Sequence, residues 1–110
     1  MMSVKTGSHK DLVEFKKRAC SLNVLDEKYQ PPTSTDLRDL ITIMGWSYGD
    51  VAKLVGVSMT SKGSSATVQR WCSPESSSDY RKIPYSAWRL LLSYSNVRVA
   101  NKREADELLK

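Results

Sequence analysis

A chain of 110 residues, 40% hydrophobic and 26% charged, is long enough for one hydrophobic core and too short for two ordinary ones. Its longest apolar runs, such as Leu90-Leu91-Leu92, fall far short of the roughly 18 residues that span a bilayer, and the polar start lacks the apolar segment of a signal peptide, so a soluble, cytoplasmic chain is expected. Two cysteines, Cys20 and Cys72, and the single histidine His9 build neither a disulfide framework nor a zinc cluster, and no metal or other cofactor is expected. The formal charge is +5 and the pI about 9.3, a balance that favours an anionic partner without naming one.

In chain order, Ser8 with Asp11 three residues on forms a variant capping box, and Leu12, Phe15, Ala19 and Leu22 recur at helical spacing, which predicts a helix over 9–21. Pro31 and Pro32 make 23–32 a connector. Leu37, Leu40, Ile41 and Met44 form one apolar stripe on a helix that begins at Thr33 or Ser34 and stops at Gly45. Ser47 and Asp50 start the next helix, which carries Val51, Leu54 and Val55 inward and ends at Gly56. Ser58 to Ser65 lacks apolar periodicity and reads as a flexible loop. Val68 and Trp71 suggest a short helix from about Ser65 to Cys72, with Ser64 or Ser65 able to cap its start. A further helix starts with Pro84 at its first position and buries Ala87, Trp88, Leu91, Leu92 and Ser95. Asn101 and Glu104 cap a last helix through Leu109. No repeat and no strand pattern is evident. Residues 1–32 are read as an N-terminal helix and connector, 33–96 as the central domain, and 97–110 as a C-terminal helix.

Charge is unevenly placed along this pattern. Residues 1–61 are nearly neutral, whereas 62–103 hold Lys62, Arg70, Arg81, Lys82, Arg89, Arg98, Lys102 and Arg103 against Glu75 and Asp79 alone. Trp46, Trp71 and Trp88 lie at registers that point inward, and Cys72 is read as a small core filler. His9, Asp11 and Glu14 have no nucleophile partner and read as solvated surface. With no glycine-rich phosphate loop, nucleophile elbow or paired carboxylates, an enzyme is not expected.

Two short helices, 47–56 and 65–72, share the inward positions Val51, Ala52, Val55, Val57, Val68 and Trp71. A small residue at the crossing, a glycine at the turn and an apolar pair on the second helix are what a helix-turn-helix requires, and Ala52, Gly56 and Val68 with Trp71 supply them. The stretch resembles the lambda-repressor and Cro-like (Xre-type) helix-turn-helix family: Leu37 to Ser47 is similar to its first helix and turn, Asp50 to Ser58 to its second helix, Thr67 to Trp71 to its recognition helix, and Ile83 to Leu92 to its following core helix. One departure is clear. Val57 and Val68 are eleven positions apart, where such regulators have about five, an insertion of about six residues that costs little closure entropy.

The resemblance implies an all-α bundle of about five helices plus the N-terminal helix, and a sequence-specific transcriptional regulator, a repressor, of a phage, plasmid or mobile element. It would bind double-stranded DNA as a homodimer. With Val68 and Trp71 inward, Ser65, Ala66, Gln69 and Arg70 face outward, with Thr67 and Ser64 at the same end. Gln69 suits adenine and Arg70 guanine or a phosphate. Ser47 and Tyr48 suit a backbone phosphate, Lys62 would reach one from the loop, and Arg81, Lys82 and Arg89 would meet the flanking phosphates. Val97, Val99, Leu108 and Leu109 form a candidate dimer surface. Two alternatives share the scaffold: a protein-binding module and a non-specific DNA accessory factor.

Overall fold

Six α-helices and one 3-10 turn make up the described part of the chain, which in this computed structural model is residues 9–110, with side chains from residue 11 onward. The helices are α1 (His9–Phe15), α2 (Ser34–Met44), α3 (Tyr48–Val55), α4 (Ala66–Cys72), α5 (Tyr85–Tyr94) and α6 (Lys102–Leu108), and the 3-10 turn is Ala19–Ser21. The expected all-α architecture is present, and no strand occurs among the described residues. No described helix is long and apolar enough to cross a membrane.

Helix starts follow side-chain chemistry closely. At both α2 and α3 a reciprocal capping box forms, Thr33 with Asp36 and Ser47 with Asp50, so each helix satisfies two of its free amides locally. Asn101 caps α6 through the Glu104 amide. Gly45 and Gly56 end α2 and α3 in the left-handed conformation that a side chain disfavours. Pro84 is not the first residue of α5 but its cap, held extended, and the helix begins at Tyr85. The last helix stops at Leu108 rather than Leu109. The Ser8 cap lies outside the described residues.

The first helix is shorter than its periodicity predicts. It ends at Phe15 instead of 21: the next amides bond as tight turns, Lys17 to the Glu14 carbonyl and Arg18 to the Phe15 carbonyl, and Arg18 itself is extended (φ −71°, ψ 149°). The Trp88 indole donates to the Cys20 carbonyl at 2.8 Å, Arg98 Nε donates to the Ser21 carbonyl at 3.0 Å, and the Ser21 hydroxyl turns back to the Phe15 carbonyl at 3.1 Å. These bonds hold Ala19–Ser21 as a 3-10 turn against the core. Phe15 and Trp88 pack at a ring separation of 6.2 Å.

Around Trp88 the core gathers Phe15, Cys20, Leu37, Leu40, Val51, Ala52, Val68, Trp71, Leu91 and Leu92, all buried. Residues 9–32 therefore contribute to the same core as the central helices. Ala87, Leu91, Leu92 and Ser95 are buried as their register on α5 requires, and Trp46 is half-buried. Burial pushes the Cys20 thiol up to about 12 and also raises Cys72, so both remain protonated at neutral pH. At the surface Glu14 pairs with Lys17 at 2.8 Å, an exposed contact of small energetic weight.

Candidate nucleic-acid interface

The second and third helices of the motif, α3 and α4, pack on one another, with α2 behind α4 and α5 behind α3. On α4 the face formed by Val68, Trp71 and Cys72 is buried, while Ala66, Gln69 and Arg70 are exposed and Thr67 is half-buried. Together with Ser73 and Asp79 the three exposed residues line a shallow cleft. Amphipathic register thus turns Gln69 and Arg70 to solvent while the opposite side anchors the helix.

Contacts at both ends fix α4 in place. Its start is capped by Ser65, whose hydroxyl accepts from the Val68 amide at 3.3 Å and donates to the Ser58 carbonyl at 2.8 Å. Its end has no glycine; Arg38 of α2 instead donates to the Cys72 carbonyl, placing a cation where the helix dipole is negative. Tyr48 of α3 lies beside the Cys72 thiol, and burial raises the tyrosine's pKa. The Arg81 amide then donates to the Arg70 carbonyl at 3.2 Å and lays the following loop along the same helix end.

The structure changes the role of two candidates. Ser65 does not face outward but is fully buried, its hydroxyl spent on joining the loop to α4. Arg89 is turned inward: its side chain is 13% exposed and pairs with Glu104 of α6, itself 10% exposed, so it cannot meet a flanking phosphate without breaking a buried ion pair. Arg98 joins the same carboxylate at 3.1 Å and Lys102 pairs with Asp106, so three of the C-terminal bases are engaged by acids of α6. Lys62, Arg70, Arg81 and Lys82 are exposed and form no ion pair among the described residues.

Ser47 is exposed with its side chain committed to the cap, and Tyr48 is half-buried. Lys82 lies at the rim of a cleft with Tyr29, Pro31 and Tyr85, and the Arg81 guanidinium donates to the carbonyls of Ser78 and Tyr80.

The loop expected to be flexible is an ordered turn. The Thr60 amide donates to the Ser64 carbonyl at 2.7 Å, the Gly63 amide returns to the Thr60 carbonyl at 3.1 Å, and the Ser64 amide donates to Thr60 Oγ1 at 3.1 Å. Two structural residues escape the sequence reading. Arg38 sits on an otherwise ordinary polar position of α2, with no local signal. Gly49, in the first turn of α3, is buried against Gly63, and the signal was available: glycine inside a helix costs about 1 kcal/mol relative to alanine, so its presence asks for a packing reason.

Helix order, caps and crossing define an all-helical helix-turn-helix bundle. No family model matches the chain. Two curated relatives, both the transcriptional repressor protein KorC from Escherichia coli, are each 30% identical over 71 residues, which covers 64% of this chain and 74% of theirs. The chain belongs to the family of these KorC repressors.

Proposed function

We propose that the protein is a sequence-specific double-stranded DNA-binding transcriptional repressor of a plasmid, phage or similar mobile element, of the lambda-repressor and Cro-like (Xre) type with a lengthened turn. The observation that carries this reading is the pair Gln69 and Arg70, exposed on a short helix whose other face is locked into the core, with Arg81 and Lys82 uncompensated beyond it. The relatives are named as repressors, which supports the same reading.

In this reading the first turn of α4 enters the major groove, Gln69 and Arg70 read base edges, and Ala66, Thr67 and Ser64 line the approach. Asp79, on the same surface, repels phosphate and suits a base-edge amine. Ser47, Tyr48, Arg81 and Lys82 touch the backbone and fix register. Repression is occupancy of an operator overlapping a promoter, with no catalytic step.

Selection from random duplexes at physiological salt tests this. A specific repressor enriches one sequence and binds it at least about a thousand-fold more tightly than random DNA. Enrichment of nothing, with binding that falls steeply with salt for all duplexes alike, would identify a phosphate-only accessory factor instead.

A homodimer is part of the proposal, because one seven-residue recognition helix contacts few bases. Val99 and Leu109 are 46% and 83% exposed at the C-terminal end, where Val97 and Leu108 are half-buried, and they supply an apolar surface for the second copy. Val99→Lys with Leu109→Lys should sediment as a monomer where the parent is a dimer; an unchanged dimer would place the seam elsewhere.

A further inference from the structure

We infer that the 58–65 segment is a fixed second DNA-contacting element, in which Lys62 binds a backbone phosphate and Gly49 is the positioning residue that seats the lysine beside the start of α3. This rests on the DNA-binding reading above and adds to it a device that helix-turn-helix periodicity does not contain.

Geometry carries the inference. A Cβ built on Gly49 would lie 2.1 Å from the Gly63 carbonyl oxygen and 2.7 Å from its carbon, so the turn can rest on α3 only because position 49 has no side chain. Gly63 has φ +83°, a left-handed conformation that the turn needs at that point. The two glycines act as one lock, a missing side chain on the helix and a permissive backbone in the turn. Hydrogen bonds from Thr60 to Ser64 and from Ser65 to Ser58 close the segment on itself at both ends.

Lys62 is one residue from this contact, so its Cα is held about 3.8 Å along the chain from that of Gly63. Ser47 and Tyr48, the proposed phosphate contacts of α3, are within two residues of Gly49 on the other side. A long lysine stem therefore starts from the same patch of surface. Asp50, the acid of that turn, is spent on the Ser47 cap and makes no ion pair with Lys62 among the described residues, leaving the ammonium available to an external anion. A lysine carried on a fixed turn also loses less freedom on binding than one on a mobile loop, which is why an inserted segment with internal hydrogen bonds favours binding.

The test is the salt dependence of binding by the full chain to its selected duplex, read by fluorescence anisotropy between about 50 and about 200 mM salt. Lys62→Gln should lower the slope of log affinity against log salt by about 1, so that affinity falls about 4-fold less over that range, with base preference unchanged. Gly49→Ala should reproduce the lower slope while Lys62 is still present, and the double variant should fall no further than either single one. If Gly49→Ala does not fold, Gly63→Ala, which strains only the turn, takes its place with the same expectation. An unchanged slope for Lys62→Gln, or a double variant in which the two losses add in full, overturns the inference while leaving the DNA reading intact. Failure of the unaltered protein to bind any duplex overturns the DNA reading itself.

Discussion

Glu104→Ala should lower the melting temperature by roughly 10–20 °C, the loss following from an uncompensated buried cation. In the folded protein the Glu104 carboxylate takes hydrogen bonds from both Arg89 and Arg98 and is buried with Arg89 between α5 and α6. Removing it strands Arg89, whose Nη1 already has no hydrogen-bond partner among the described residues. Stranding one member of a buried pair costs about 3–5 kcal/mol, and the lower end applies here because Arg98 is one-third exposed and stays hydrated. Arg89→Met with Glu104→Leu should restore most of the lost stability, since it leaves behind only the Arg98 charge, which is one-third exposed and hydrated. Thermal melts followed by circular dichroism decide it, and a single variant melting within a few degrees of the parent would show that the ion pair is solvated and adds nothing.

Arg70→Ala should weaken binding to the selected duplex by about 1–3 kcal/mol, roughly 5- to 150-fold, and relax the preference at one base position, while Gln69→Ala relaxes a neighbouring position by a similar amount. Neither change should affect folding, because both side chains are exposed and make no side-chain hydrogen bond among the described residues. Competition with single-base variants of the duplex measures the effect. Equal weakening of every sequence by Arg70→Ala would reassign that arginine to a phosphate, and no weakening by either change would remove α4 as the reading helix.

These two outcomes separate parts of the molecule that one count of basic residues joins together. Counted along the chain, the basic excess runs from Lys62 to Arg103 without a break. Folding divides it. Arg89 and Arg98 share Glu104 and Lys102 pairs with Asp106, both acids on α6, whereas Lys62, Arg70, Arg81, Lys82 and Arg103 are exposed without an ion pair among the described residues. Four of the five exposed bases without an ion pair, Lys62, Arg70, Arg81 and Lys82, lie on α4 or its two flanking loops, so the anionic partner is expected on that side.

Local chemistry was legible in the sequence wherever it acts over three or four residues. The boxes Thr33 to Asp36 and Ser47 to Asp50, the stops at Gly45 and Gly56, and the stripe Leu37, Leu40, Ile41 and Met44 determined α2 and α3, and the inward register of Val68, Trp71 and Trp88 followed from the same periodicity. Those features also determined which side of α4 carries Gln69 and Arg70. Only the tertiary structure decided where α1 ends, that Ser65 rather than Ser64 caps α4 and is buried, that Arg89 is an interior partner of Glu104, and that the inserted loop is a turn seated on Gly49. The deciding partners lie beyond the three- or four-residue reach of a helix turn: Trp88 for the Cys20 carbonyl, Glu104 for Arg89, Gly63 for Gly49 and, at the far end of the same loop, Ser58 for the Ser65 hydroxyl. A buried polar group or a close backbone approach is settled by whatever lies across the contact, and side-chain periodicity records only that a face is buried.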